Sequence, residues 1–319
     1  MHAATTPRFI GPMLWVAVAV VVMPLVLQST SLATEVLVFA LGALSVTFLA
    51  GQIGLLSFGQ GLFFGIGAYG SGMLAKLLSV GTSGSLLVGM LVAAAVGCVV
   101  GFMITHRKGV SFVMLTLAFA QMGFFIMTMF SSVTGGENGL LDIPRTPLLG
   151  GLFPLHDGYT IYVFIAFVYL IALMAVWRVV HSPAGSVLAG IRENESRIQA
   201  LGYNARRYKA FAFAFAGAIA GLAGSLHTTF LGFVPPNVIQ LEMSQQLLVM
   251  AIIGGTGSPF GALLGSMFYV VLSNVIASFW PRWMIIIALL LVTVVLFLRG
   301  GLLEIGQTIQ KKLLKRTSR

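Results

Sequence analysis

The chain has 319 residues, of which 58% are hydrophobic and only 8% charged, and its net charge is +10. A soluble domain carries about 25% charged residues, and a mean hydropathy of +1.00 makes lipid the solvent for most of this chain. Its single cysteine, Cys98, excludes an internal disulfide and reads as an inert packing residue in an apolar run.

A membrane crossing needs about 20 mostly apolar residues. Ten stretches come close: 10–28, 33–51, 58–78, 84–105, 110–131, 160–177, 210–232, 244–257, 259–280 and 283–299. The first is too long for the apolar core of a cleaved signal and lacks a small-x-small cleavage site after it, so it reads as a retained span. The stretch 244–257 is short and broken by glycine. Residues 244–280 therefore read either as two spans or as one span plus a re-entrant segment.

Between the second and third stretches lies GQIGLLSFG (51–59). Two glycines, a glutamine and a serine at this point predict a broken helix or a re-entrant turn. Irregular backbone at membrane depth survives only where protein or a water-filled cavity satisfies it. GGTGSPFG (254–261) is similar. Aligning Gly51–Gly54 with Gly254–Gly257 puts both before a Phe-Gly pair, which reads as a trace of two related halves or as chance. Small residues four apart (Gly61 and Gly65, Gly97 and Gly101, Gly217 and Gly221, Gly257, Gly261 and Gly265) predict close helix packing in lipid.

The longest segment on the outer side, 132–159, holds Glu137, Asp142, Arg145 and Asp157 among several Gly and Pro. It reads as an outer mouth that receives a partner, or as a solvated connector.

Residues 182–209 interrupt the apolar pattern with SPAGSVLAGIRENESRIQALGYNARRYK. Ser182 and Pro183 predict a helix start, and Gly202 a stop. Val187, Leu188, Ile191, Ile198 and Leu201 gather on one side of the wheel, and Glu193 and Arg197 have the favourable i,i+4 order. A helix this short is marginal alone in water. It must pack on its own bundle or dock in another protein's groove. Its mixed acids and bases suit docking better than a lipid surface, which favours a basic face opposite bulky apolar residues.

With the amino terminus inside and ten alternating spans, Arg8, Arg107, Lys108, Arg178, the five cations of the island, Arg299 and the basic tail of residues 300–319 all fall inside. Only Lys76, Arg145 and Arg282 fall outside. This asymmetry is that of a membrane protein with both termini cytoplasmic, and the tail KKLLKR suits anionic headgroups. The excess positive charge is thereby explained without nucleic acid.

Apart from His227, the centres of the proposed spans carry no Asp, Glu, Lys, Arg or His of the kind that ion-coupled pumps bury as relays. The sequence has no G-x-x-x-x-G-K-[ST] phosphate loop, no Cys/His cluster spaced for a metal, and no carboxylate pair or nucleophile–base spacing. The expectation is a transport subunit rather than an enzyme, with no cofactor of its own, driven by a separate ATPase. A sodium-coupled secondary transporter using backbone carbonyls is the alternative class.

The runs GQIGLLSFGQGLFFGIGAYGSGML (51–74), MLTLAFAQM (114–122), TGGENGL (134–140), residues 182–226 and GGTGSPFGALLG (254–265) occur in an order that resembles the LivM-type permeases of branched-chain amino-acid ABC importers. Urea and amide importers share the pattern. The resemblance implies an all-α polytopic bundle of the type II importer kind, a single permease domain over 1–319, in a bacterial cytoplasmic (inner) membrane. It implies a second permease subunit, two ATP-binding subunits and an extracytoplasmic solute-binding protein as partners. It places the ATPase-coupling segment in 182–209. There Arg192, Glu193 and Asn194 match an R-E-N run, and Glu195, Ala200 and Gly202 an E…A-x-G core. Ser186 departs from the arginine that relatives carry. The run with Thr134, Gly135, Gly136, Asn138 and Gly139 is the candidate outer mouth. Gln52, Ser57, Gln60, Thr116 and Gln121 are candidates for the solute path, or equally for interhelical hydrogen bonds of about 0.6–2 kcal/mol each.

Overall fold

A computed structural model describes residues 10–78, 81–104, 107, 109–144, 146–147, 157–280, 283–297 and 301. The basic tail from 302 onward, Arg8, Lys108, Arg145, Arg282, Arg299 and residues 148–156 of the outer segment lie outside them. The elements are α1 (Ile10–Leu27), α2 (Thr30–Ile53), α3 (Gln60–Leu77), α4 (Thr82–Ile104), α5 (Val110–Met129), α6 (Ser131–Thr134), α7 (Gly158–Val180), α8 (Pro183–Ala200), α9 (Ala205–Leu231), α10 (Leu241–Gly254), α11 (Gly261–Phe279) and α12 (Trp283–Phe297). Among the described residues there is no strand, only an isolated bridge between Leu140 and Val234.

Each of the ten proposed spans coincides with one of these helices. Six of them (α2, α4, α5, α7, α9 and α11) are long and apolar enough to cross a membrane. α10 is short at 14 residues and α3 is diluted by Gly, Ser and Gln, so among the described residues these six meet the requirement, and the chain is a polytopic helical membrane protein.

The core forms around α2. A helix apolar on every side must be buried, and α2 is buried from Val36 to Ala50 without interruption, enclosed by α7, α9, α10 and α11. The tightest seam joins α4 to α9. A side chain at Gly97 would stand 2.7 Å from the carbonyl oxygen of Phe213, and one at Gly217 would stand 2.8 Å from that of Ala93. The glycines at four-residue spacing thus let these two backbones touch, as the pattern predicts. Gly257 does not share this role, since nothing lies within 4 Å of the position a Cβ would take. Cys98, expected to pack, instead lies on the exposed face of α4. Large apolar side chains such as Trp15, Phe125, Met129 and Phe279 point outward, as a lipid-facing surface requires.

Two backbone breaks position the polar groups. α2 ends at Gly54, which adopts the left-handed conformation (φ 72°) and donates its N–H to the Ala50 carbonyl at 3.1 Å. The chain then turns back into the bundle. Gln60 begins α3 beside Ser45, whose hydroxyl donates to Gln60 Oε1 at 3.1 Å. Ser45 lies eight residues before Ile53, so α3 starts about 12 Å above the end of α2. From the opposite end, the loop after α9 descends far enough for the Gly61 N–H to donate to Ser244 Oγ at 2.8 Å. The amino termini of α3 and α10 therefore meet inside the bundle. The second glycine break, after α10, sits against the first: a side chain at Gly51 would stand 2.6 Å from the Thr256 carbonyl oxygen.

Candidate functional site

The polar island forms α8 and the turn into α9. Ser182 caps the helix by accepting the Gly185 N–H at 3.3 Å, Pro183 occupies the first turn, and Gly202 (φ 88°) follows the last. The interior departs from the single helix the sequence predicts. Asn194 is non-helical (φ −156°, ψ 99°), and its Oδ1 accepts the Arg197 N–H at 3.0 Å. An asparagine in that position caps a second, shorter helix, so α8 is two segments joined at a kink. The kink folds Ile198 onto Gly190. It also takes Glu193 and Arg197 out of i,i+4 register, and no ion pair between them exists among the described residues. Leu188 and Ile191 are buried, whereas Leu201 leaves the stripe and is 68% exposed, with Tyr203 exposed beside it.

Three long side chains fasten this unit to the bundle. Arg192 Nη1 donates to the Gly51 carbonyl at 2.6 Å, and its aliphatic stem packs on Gly54. Lys209 Nζ donates to Glu195 Oε1 at 2.7 Å, with both side chains largely buried. Arg206 Nε donates to the Phe102 carbonyl at 3.0 Å, and its guanidinium lies 3.7 Å from the centre of the Phe102 ring. The ends of α2 and α4, the start of α9 and α8 thus share one end of the molecule. Of the residues marked in the sequence, Glu193, Asn194, Ala200 and Gly202 face solvent, Arg192 reaches the first glycine break, and Glu195 turns inward.

At the break itself, Ser57, Gln60 and Thr116 come together. Thr116 Oγ1 accepts the Phe58 N–H at 3.2 Å and donates to the Val113 carbonyl at 2.8 Å. Ser57 Oγ accepts the Gly59 N–H at 3.1 Å. Both hydroxyls supply partners that an interrupted helix lacks. Gln60 is fully buried, and its Nε2 has no partner. Gln52 and Gln121 stand apart, half-buried, on α2 and α5.

The opposite end carries the glycine-rich turn. Thr134 is buried, and its hydroxyl donates to the Met127 carbonyl at 2.7 Å. Gly135, Gly136 and Gly139 all have positive φ, folding the chain into a knot around a 3-10 turn, Gly136–Asn138. A side chain on Gly139 would collide with the Val234 carbonyl. Leu140 and Val234 exchange backbone hydrogen bonds at 3.1 and 2.9 Å, fixing the knot to the loop after α9. Asn138 and Glu137 remain exposed.

Several polar residues escaped the sequence reading. Lys209 counts there as one more island cation, yet it is the buried partner of Glu195. Ser244 falls at the edge of a proposed span, yet α10 begins at Leu241 and brings it to the amino terminus of α3. The polar run Ser244-Gln245-Gln246 at the head of an apolar stretch hints at this. His227, the exception noted among the groups within the spans, is buried between the rings of Phe39 and Phe64.

Comparison with known proteins adds an independent line. Residues 28–297 match the family model described as branched-chain amino acid transport system / permease component. The chain is 29% identical over 296 residues to the high-affinity branched-chain amino acid transport system permease protein LivM of Escherichia coli, covering 86% of this chain and 70% of that protein. It is 26% identical over 241 residues to a probable LivM permease of Methanocaldococcus jannaschii, covering 72% and 68%. A shorter similarity, 29% over 122 residues, links 36% of the chain to the autoinducer 2 import system permease protein LsrC of an Enterobacter strain. No solved structure matches the chain.

Proposed function

Because the chain belongs to the branched-chain amino acid transport permease family, we propose that it is the membrane-spanning permease subunit of an ABC importer that carries branched-chain amino acids inward. In this reading the bundle has ten crossings of the type II importer kind. It sits in a bacterial cytoplasmic membrane with both termini cytoplasmic. It pairs with a second permease, two ATP-binding subunits and an extracytoplasmic solute-binding protein. ATP hydrolysis belongs to the partner chains. The chain itself is one permease domain, with 182–209 as its cytoplasmic coupling segment and the basic tail from 300 on the same side.

The observation that carries the reading is the fastening of α8 to the first glycine break. A solvent-facing polar helix between apolar spans has no purpose in a lipid-embedded bundle unless something in water grips it. Here it is joined through Arg192 to Gly51, and Gly51 abuts the second break at Thr256. A pull on α8 is delivered to the places where the bundle's backbone is already interrupted. Such breaks absorb a rearrangement more readily than a continuous hydrogen-bonded helix.

Mechanism follows from that linkage. A binding protein delivers solute at the glycine knot that includes Thr134, Gly135, Gly136, Asn138 and Gly139. ATP binding closes the partner ATPases around the exposed face of α8, where Glu193, Asn194, Ala200 and Gly202 lie. Arg192 passes the displacement to 51–59, and the junction of α3 with α10 shifts. Gln60 and Gln121 then line the opened path, with Gln52 at its inner exit, while Ser57 and Thr116 hold the break's backbone. The chain supplies a path and a lever and makes no bonds.

The test is uptake of labelled leucine by proteoliposomes holding the whole complex, with urea as the competing solute. Leucine uptake that needs ATP and disappears when the ATP-binding subunits are omitted supports the proposal. Uptake driven by a sodium gradient without them would refute it, and selective urea uptake would move the chain to a different solute class.

A further inference from the structure

One cavity, of about 240 Å³, lies between α2, α10 and α11 and plays no part in the lever described above. It is lined by Glu35 and Phe39 of α2, Gln246 and Met250 of α10, and Ser273 and Asn274 of α11. Glu35 is in the second turn of α2, and Asn274 is within the last two turns of α11. The cavity therefore sits at the end of the bundle opposite α8.

The charge of its wall is one-sided, with Glu35 its one carboxylate. Ser273 Oγ donates to the Val270 carbonyl at 2.9 Å, and Asn274 Nδ2 donates to the same carbonyl at 3.0 Å. The hydroxyl has spent its only donor, so it offers lone pairs to the cavity, and Asn274 offers Oδ1. Glu35 makes no hydrogen bond or ion pair among the described residues, and no Lys or Arg lines the space. An ionisable group inside a membrane segment is costly unless it has a partner or a function. The rest of the wall sets the amide of Gln246 and the hydroxyl of Tyr269 among apolar residues, Phe39 and Met250 included.

A ligand for this cavity must bring hydrogen-bond donors, a positive charge and apolar surface together. A bare metal ion meets the first wall and leaves the second empty, and the volume is many times that of a dehydrated cation. A ligand that carried only an anion would face Glu35 without a countercharge, whereas one that also carries an ammonium can turn its anion to the amide of Gln246 or out of the cavity. We propose that the cavity binds a primary ammonium group carried on an aliphatic chain, with the ammonium on Glu35, Asn274 Oδ1 and Ser273 Oγ and the chain against Phe39 and Met250. Two sources present this chemistry: a free aliphatic amino acid and the ethanolamine headgroup of an aminophospholipid. The inference stands apart from the transport reading, because ligand retention is measured without ATP or uptake.

The experiment uses the full-length chain in nanodiscs. In discs of phosphatidylcholine alone, whose quaternary ammonium has no N–H to donate, leucine binding is measured by equilibrium dialysis. 4-Methylpentanoate, which is leucine without its ammonium, is the control. In discs that also contain phosphatidylethanolamine, native mass spectrometry counts the retained lipids. The expected result is either saturable leucine binding with none of the control, or retention of the ethanolamine lipid above its share of the disc. The first outcome assigns the site to solute and the second to lipid. Glu35→Gln should weaken whichever ligand binds by about tenfold, the equivalent of roughly 1.4 kcal/mol. Asn274→Leu, which leaves the carboxylate in place, should weaken it less and keeps the test open if Glu35→Gln does not fold. Binding of 4-methylpentanoate equal to leucine overturns the proposal. So does ligand retention that both substitutions leave unchanged, or the absence of retention in both discs.

Discussion

The two ends of this molecule are held together by different means. At the α8 end the ties are long side chains: Arg192 on the Gly51 carbonyl, Glu195 with Lys209, and Arg206 on Phe102. At the other end the ties are largely backbone or short side chains. Leu140 and Val234 exchange main-chain hydrogen bonds, and the Ile143 N–H donates to the Gly232 carbonyl at 3.2 Å. Thr82 Oγ1 donates to the Thr146 carbonyl at 2.8 Å. A long side chain can change rotamer and keep or exchange its partner, whereas a main-chain pair moves only if the backbone moves. The α8 end is therefore built to be displaced, and the glycine knot is built to stay in place while something docks on it.

The largest effect on stability should come from the one tie at the α8 end that is buried. Glu195→Ala takes away the carboxylate 2.7 Å from the Lys209 ammonium in a largely dry site, and breaking a buried ion pair in this way costs about 3–5 kcal/mol. The melting temperature of the detergent-solubilised chain should fall sharply. The double change Glu195→Ala with Lys209→Met should restore most of it, because it removes the two charges together. If the double variant melts as low as the single one, the pair is not what holds α8 to α9.

At the opposite end, Gly139→Val should cost about 1–3 kcal/mol from the backbone conformation alone. Gly139 has φ 73° and ψ −178°, a combination essentially confined to glycine, and the added side chain also meets the Val234 carbonyl. Limited proteolysis of membranes should then cut near 134–143, while the α8 end stays as resistant as before. Cutting at both ends would show that the two ends are not independent.

Much of this arrangement is legible in the sequence, and the exceptions have a common physical cause. Ser182, Pro183 and Gly202 mark the limits of α8 because capping is local chemistry, settled within a few residues. The break at 51–59 is legible for the same reason, since two glycines and two polar residues interrupt an apolar run. The kink at Asn194 is not, because an asparagine that caps a second helix looks like an ordinary surface residue until Arg197 is seen on its side chain. Hydropathy also cannot reveal that the loop after α9 descends to bring Ser244 onto Gly61, because that contact joins residues 183 positions apart. The same limit hid the pairing of Lys209 with Glu195, which inverts the apparent role of that glutamate from exposed contact to internal tie. The candidate site was thus visible as a location, while its directions, inward or outward, required the fold.

Arg192→Lys separates stability from coupling. The guanidinium is exposed, so an exposed contact of this kind adds little to stability, about 0–1 kcal/mol, and the melting temperature should hardly change. A lysine keeps the charge and the Cγ–Cδ stem on Gly54, but its shorter reach and single donor centre lose the 2.6 Å bond to Gly51. If that bond transmits displacement from α8 to the break, uptake by the assembled complex should fall by about tenfold or more, with ATPase association unchanged. Wild-type uptake in Arg192→Lys would mean that α8 moves the bundle by another route.

The smallest effect on the isolated chain, and the sharpest for the assembly, belongs to Leu201→Asp. Leu201 departs from the buried stripe of Leu188 and Ile191 because the kink at Asn194 rotates the second segment of α8. It is left exposed at the tip, next to Tyr203. Nothing in the chain itself depends on its side chain, so a surface substitution there should stay within about 0.5 kcal/mol of the original stability. An apolar residue at the tip of a solvent-facing helix is, however, what a groove in a partner would enclose, and a buried aspartate would be left unpaired there. Pull-down of the ATP-binding subunits should therefore be lost in a variant that melts normally and inserts normally. Retained association would place the partner's grip on the polar face of Glu193 and Asn194 and leave the kink as a means of packing Ile198 onto Gly190 alone.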